Sequence, residues 1–297
     1  MSRPSNSLVA LTLLMTLVLL AACAERTNAP DNPAPTEGPY EVTVQEQQLF
    51  SPSDWPQELL ADLYLPDTNG DHRPALLMVH GGGWEGRSRS DMDRAARHLA
   101  QNGFVVMNVD YRFAPEYQFP EQLYDVQIAM HWLHDRASDL QIDPERIGAF
   151  GFSSGAHLVS LMALVAGQGG ELDRPYGGIR TQPYAVVAGG TPSDLRKFDD
   201  GRLVEQFLGG IQAEVPDRYH DASPIVHRHA DAPPFFLFHG TLDRLVPPDH
   251  ARDFHQALER EGVDSELFMQ RLRGHATSYV LMGDARRAAV EFLWRHH

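Results

Sequence analysis

From residue 75 onward, short unbroken apolar runs alternate with stretches whose apolar residues recur at helical spacing. Ala75 to Val79, Phe104 to Val109, Ile147 to Phe150, Tyr184 to Ala188, Phe235 to Phe238 and Glu266 to Met269 read as strands, and the most continuous of them have the look of central strands covered on both faces. Leu123, Val126, Ile128, Met130, Trp132 and Leu133 mark a helix within Pro120 to Leu140; further helices are expected over Ala156 to Ala166, after Pro248, and from Ser278 to Trp294. Ser90 and Asp93 resemble a capping box ahead of a helix to Gln101, which Gly103 stops. Earlier, Tyr40, Val42 and Val44 alternate with polar residues as in a half-buried edge strand, and Leu59 to Leu65 suggests a second strand ended by Pro66. Strand and helix alternating in this way predict an α/β fold with a mostly parallel central sheet and helices on both faces. Thr191 to Pro234, rich in Asp, Pro and Gly, breaks the rhythm and reads as a small insertion over the C-terminal edge of the sheet, where it would shape a pocket.

The first 39 residues follow a different grammar. Arg3 and the free amine precede an apolar run from Leu8 to Leu20, too short to span a membrane comfortably, and small residues follow, as in a signal peptide. Leu20, Ala21, Ala22 and Cys23 resemble a bacterial lipobox, in which the cysteine is lipidated and becomes the first mature residue. The expected layout is a signal peptide over 1–22, a lipidated Cys23 with a Pro-rich flexible tether to residue 39, and one domain over 40–297. This implies export to the cell envelope, with membrane contact through the lipid anchor only. A sole cysteine has no intramolecular disulfide partner.

A formal net charge of −15 weighs against an electrostatic nucleic-acid binder and against a basic membrane-surface patch, since both need clustered cations. Of the 25 basic residues only Lys197 is a lysine. No internal repeat is visible, and 42% hydrophobic composition over 297 residues supports a sizeable core.

The candidate chemistry begins at IGAFGFSSGAHL, residues 147–158, which reads strand, tight turn, helix. Gly151 and Gly155 leave room for a strained turn at Ser153, and the helix start behind it supplies unpaired N–H groups, so Ser153 is a candidate nucleophile. A serine hydroxyl needs a base and a group to orient that base. His275 lies in a loop after the last predicted strand, and Asp243 in a loop beyond Phe235 to Phe238. Asp194, in TPSDLRKF, competes for the acid role, although Ser193 and Asp194 read equally well as a helix cap. His157, one turn past Ser153, reads as structural. His80 to Trp84, HGGGW, follows a central strand, where glycine amides can approach a developing oxyanion.

HGGGW (80–84), DYRFAPE (110–116), GFSSG (151–155), DASP (221–224), HGTLDRLVP (239–247) and GHA (274–276) together resemble the hormone-sensitive-lipase-like esterases of the α/β-hydrolase fold, in which the order Ser, Asp, His is usual. The resemblance covers roughly Ala75 to the C-terminus. It implies a serine carboxylic ester hydrolase for small or short-acyl esters, with Ser153 as nucleophile, Asp243 and His275 as partners, an oxyanion hole from the N–H groups of Gly82, Gly83 and Ser154, and no metal or organic cofactor. Asp110, Arg112 and Glu116 would tie their loop to its neighbours. Ser154 stands where these esterases often have alanine, and His157 where a small or amide residue is common. Aryl formamide hydrolysis, as in kynurenine formamidases, is the nearest alternative chemistry, and a non-catalytic surface lipoprotein the alternative of another class.

Overall fold

Runs of Val, Leu, Phe and Ala with no polar interruption can be covered only by helices on both faces, and the chain provides them. The computed structural model describes residues 24–30, 38–68, 72–198 and 201–297. Nine strands form one sheet: β1 (Ala24–Thr27), β2 (Val42–Leu49), β3 (Leu60–Pro66), β4 (Arg73–Val79), β5 (Val105–Val109), β6 (Ile142–Phe152), β7 (Val186–Gly189), β8 (Phe235–Gly240) and β9 (Ser265–Gln270), in the order β1-β9-β8-β7-β6-β4-β5-β3-β2. β5, β4, β6, β7, β8 and β9 run parallel, and β1, β3 and β2 are antiparallel to their neighbours. This is the α/β-hydrolase arrangement expected, and it aims the C-terminal ends of β4, β6, β7, β8 and β9 at one edge.

The helices are α1 (Asp93–Gln101), α2 (Glu121–Asp135), α3 (Ser154–Val165), α4 (Arg202–Leu208), α5 (Pro216–Asp221), α6 (Asp249–Arg260), α7 (His275–Val280) and α8 (Asp284–Arg295). α3 is buried at every position, so its surroundings rather than an amphipathic stripe hold it. One core layer joins α2, α3 and α6 to one face of the sheet, and a second joins α1 and α8 to the other.

Four expectations need correction. Ala24–Thr27, within the segment read as a tether, is an edge strand antiparallel to β9, with Ala24 opposite Gln270; four residues with no periodicity gave no signal of it. Ser278 to Trp294 is two helices, parted at Gly283, whose φ of +50° no helix can continue through. Ser90 forms no capping box: a 3₁₀ turn over Arg89–Met92 precedes α1, and Asp93 instead accepts hydrogen bonds from the Arg97 guanidinium and the Tyr64 hydroxyl. The region from Thr191 to Pro234 is more regular than its composition suggests, since α4, α5 and two 3₁₀ turns lie in it. The signal segment and Cys23 lie outside the described residues.

Candidate active site

Ser153 stands between the last residue of β6 and the first of α3 with φ 55° and ψ −123°. That backbone is costly for a residue with a Cβ and persists only where the surroundings enforce it. Here they do. The Ser153 N–H donates to the Gly189 carbonyl on β7 (2.7 Å), and the Ser153 carbonyl accepts from the His157 N–H (3.0 Å). The turn also packs against β4 so closely that a Cβ on Gly155 would lie 2.1 Å from the Val79 carbonyl oxygen.

His275, the first residue of α7, brings Nε2 to 2.8 Å from Ser153 Oγ and Nδ1 to 2.6 Å from Asp243 Oδ2. With Nδ1 protonated, the ring donates to the carboxylate and accepts from the serine hydroxyl. Asp243 Oδ1 accepts from the N–H groups of Leu245 (3.0 Å) and Val246 (2.9 Å). His239 Nε2 lies 3.3 Å from Asp243 Oδ2 while donating to the Val246 carbonyl (2.9 Å). Burial would raise the Asp243 pKa, but the contacts from His239, His275 and the Val246 amide outweigh it and hold the carboxyl well below the usual carboxylate range. The carboxylate is therefore ionised at any pH where the imidazole needs it. Sequence reasoning missed His239, although it stands in the HGTLD segment four residues before Asp243.

Asp194 does not compete. Its carboxylate accepts from the Arg196 amide and guanidinium, which makes it the cap of a 3₁₀ turn, as its sequence context allowed. His80 also turns away from Ser153: it is buried, its Nδ1 donates to the Gly81 carbonyl (2.6 Å), and it stacks on Tyr111.

The amides of Gly82, Gly83 and Ser154 have no acceptor among the described residues, and all three residues line the cleft beside Ser153. Ser154 has a buried side chain within 3.1 Å of the Tyr111 hydroxyl, which itself donates to the His80 carbonyl (3.3 Å). The second serine therefore presents an amide to the cleft and spends its hydroxyl on the core. The glycine loop is braced by Trp84, which stacks on Phe207 at 4.4 Å and donates from Nε1 to His157 Nδ1 (3.3 Å). His157 in turn donates from Nε2 to the Ala222 carbonyl (2.6 Å) in DASP. Burial pushes the His157 pKa down to about 4, so the ring is neutral and can accept from Trp84. The structural reading of His157 thus has a definite content: it joins the glycine loop to the insertion.

Asp110 accepts from the Arg89 amide (2.9 Å) and pairs with its guanidinium, and buried Arg112 pairs with Asp125 (2.8 Å) and Glu121. Both tie their loop down as expected. Glu116 does not; it is exposed and makes no ion pair among the described residues.

The cleft over Ser153 is about 850 Å³, roofed by Phe198, Leu203 and Val204 of the insertion and flanked by Leu245, Tyr279 and Val280. Leu203 packs directly on Gly83, where a Cβ would lie 2.9 Å from the leucine Cδ1. Among the described residues no group of His, Cys, Asp and Glu could hold a metal.

Residues 61–258 match the BD-FAE family model. The chain is 30% identical over 223 residues to a probable carboxylic ester hydrolase, LipM, of Mycobacterium tuberculosis, a match covering 72% of this chain and 51% of LipM. It thus spans about half the length of that relative. Its fold is similar to a truncated carbohydrate esterase from gut microbiota (TM-score 0.77, 22% identity, covering 89% of this chain and 99% of that one). It is also similar to esterase 2 of Thermogutta terrifontis phosphoramylated by tabun (TM-score 0.71, 26% identity, covering 87% and 95%).

Proposed function

The chain belongs to the BD-FAE family within the α/β-hydrolase esterases, and from that premise we propose that it hydrolyses small carboxylic esters through an acyl-enzyme on Ser153. The observation that carries this reading is the hydrogen-bonded chain Ser153, His275, Asp243, spaced 2.8 and 2.6 Å, at the mouth of a cleft with three unpaired amides. His275 Nε2 takes the Ser153 proton as Oγ attacks the ester carbonyl. The oxyanion that forms is met by the amides of Gly82, Gly83 and Ser154, fixed before substrate arrives. The imidazolium, stabilised by Asp243, then gives its proton to the leaving alcohol, and the same ring activates the water that releases the acid. The Thermogutta relative is one that an organophosphorus agent modifies, which suits this reading of Ser153.

Leu203 against the glycine loop leaves little depth beside the acyl carbon and supports a short acyl group. A panel of nitrophenyl esters tests the proposal: acetate and butyrate should turn over in the native chain and not in Ser153→Ala. Retained turnover in that variant would refute it.

The address belongs to the same proposal. The LAAC sequence ending at Cys23 supports export and lipidation, which would hold the domain at the cell envelope. A fatty-acid analogue should label the native chain and not Cys23→Ser; a native protein free of lipid would exclude the anchor.

A further inference from the structure

Among the described residues, five of the eight large apolar side chains that stand exposed, Leu242, Leu245, Leu272, Val280 and Leu281, belong to the segments that follow β8 and β9. Hydrogen bonds make these segments one surface. The Leu242 N–H donates to the Arg273 carbonyl (2.8 Å) and the Leu272 N–H to Thr241 Oγ1 (3.0 Å). Gln270 Nε2 reaches the Met282 carbonyl (3.2 Å) and so draws in the stretch that carries Val280 and Leu281. Arg244, Arg271 and Arg273 are interleaved with the leucines, and none makes an ion pair or a side-chain hydrogen bond among the described residues. The carboxylates on the segment after β8 do not neutralise them: Asp243 is buried and occupied by His275, His239 and two amides, and Asp249 pairs with Lys197.

Leu272 is the least economical residue of the surface. It is 77% exposed and has φ +58°, a conformation that favours Gly or Asn, so a leucine there costs backbone strain and solvation together. No packing within the fold repays either cost. The chain also reaches the sheet at this place. Ala24, which follows Cys23 in the sequence, pairs with Gln270 at the C-terminal end of β9, two residues before Leu272.

We propose that this leucine and arginine rim seats on a bilayer surface containing anionic phospholipid, the leucines entering the interface and the arginines meeting phosphates, with the mouth of the cleft turned to the headgroups. A second copy of this chain fits less well, because a two-fold contact would set three unpaired arginines against three others. The location at a membrane rests on the proposed export and lipidation; the seating itself rests on the rim.

The test uses the full chain with an environment-sensitive fluorophore on Leu272→Cys or, as the far-edge control, on exposed Glu145→Cys at the opposite end of β6. Failure of the parent chain to label reports that Cys23 is blocked by lipid; if it labels, Cys23→Ser is added to both. Vesicles of phosphatidylcholine with phosphatidylglycerol and a nitroxide lipid should quench the probe at position 272 and not at 145. Arg244→Gln with Arg271→Gln should weaken that quenching about thirtyfold in apparent affinity and leave turnover of a soluble ester unchanged. A chain that is lipid-bearing and vesicle-bound, yet equally unquenched at both positions, would overturn the seating and leave the anchor standing. Quenching at 272 in a lipid-free chain would support the seating and remove the anchor. Shielding of the 272 probe by raised protein concentration without vesicles would assign the rim to self-association and overturn the proposal.

Discussion

At the scale of single residues, Asp243 is the most constrained group in the site, because two histidines and two amides share its carboxylate. Asn in its place keeps the shape but favours the wrong imidazole tautomer, which costs on the order of 10⁴ in kcat in the serine-protease template. Asp243→Asn should therefore lose several orders of magnitude in kcat on nitrophenyl acetate, with circular dichroism showing little change in Tm. Asp194→Asn should lose at most about tenfold, since its carboxylate binds Arg196 and the Ser223 hydroxyl rather than His275. Ser153, Asp243 and His275 were legible in the sequence because each follows a strand within a few residues and carries its neighbours' signature: glycines around Ser153, HGTLD around Asp243, GHA around His275. His157 was legible only as a structural residue. Its partners Trp84 and Ala222 lie 73 and 65 residues away, so no local pattern announces the bond. Glu116 was over-read, because membership of a motif says nothing about whether a carboxylate finds a cation.

At the scale of elements, the β6 to α3 turn and the insertion divide the work between placing the nucleophile and bounding the acyl group. Gly155→Ala would push a methyl into the Val79 carbonyl, which is backbone of a central strand and cannot yield. Equilibrium unfolding should show a loss of about 3 kcal/mol, with activity falling further than stability because Ser153 moves with the turn. Leu203→Ala should instead leave the fold intact and deepen the cleft beside Gly83. The ratio of kcat/KM for nitrophenyl octanoate over acetate should rise about tenfold, at roughly 1 kcal/mol or more for the apolar contact regained. The long strands and helices were legible from periodicity, with β6 longer than its apolar run suggested. β1 was not, since an edge strand of four mixed residues is specified by the partner β9 rather than by its own sequence. Nor was the basic rim: a net charge sums over the whole chain, whereas hydrogen bonds of Leu242 with Arg273 and of Leu272 with Thr241 join the two loops that carry Arg244, Arg271 and Arg273.

At the scale of the whole molecule, stability is tied to pH through buried histidines. Burial lowers the pKa of His157 to about 4, and burial with Lys197 nearby does the same for His250. Between pH 4 and 6.5 the unfolded chain thus binds protons that the folded chain refuses, so stability is full above about 6.5 and falls as pH drops toward 4, on the order of 3 kcal/mol for fully buried His157. Tm followed over this window should decline, and His157→Gln, which keeps a donor for the Ala222 carbonyl, should flatten the slope. The central claim is that this architecture makes one serine nucleophilic. Stoichiometric reaction with an organophosphonate ester, read by intact mass and peptide mapping, tests it most directly. One adduct per chain is expected, on Ser153, abolished in Ser153→Ala and strongly slowed in Asp243→Asn; an adduct on Ser154, or none at all on a folded native chain, would show that Ser153 is not the nucleophile.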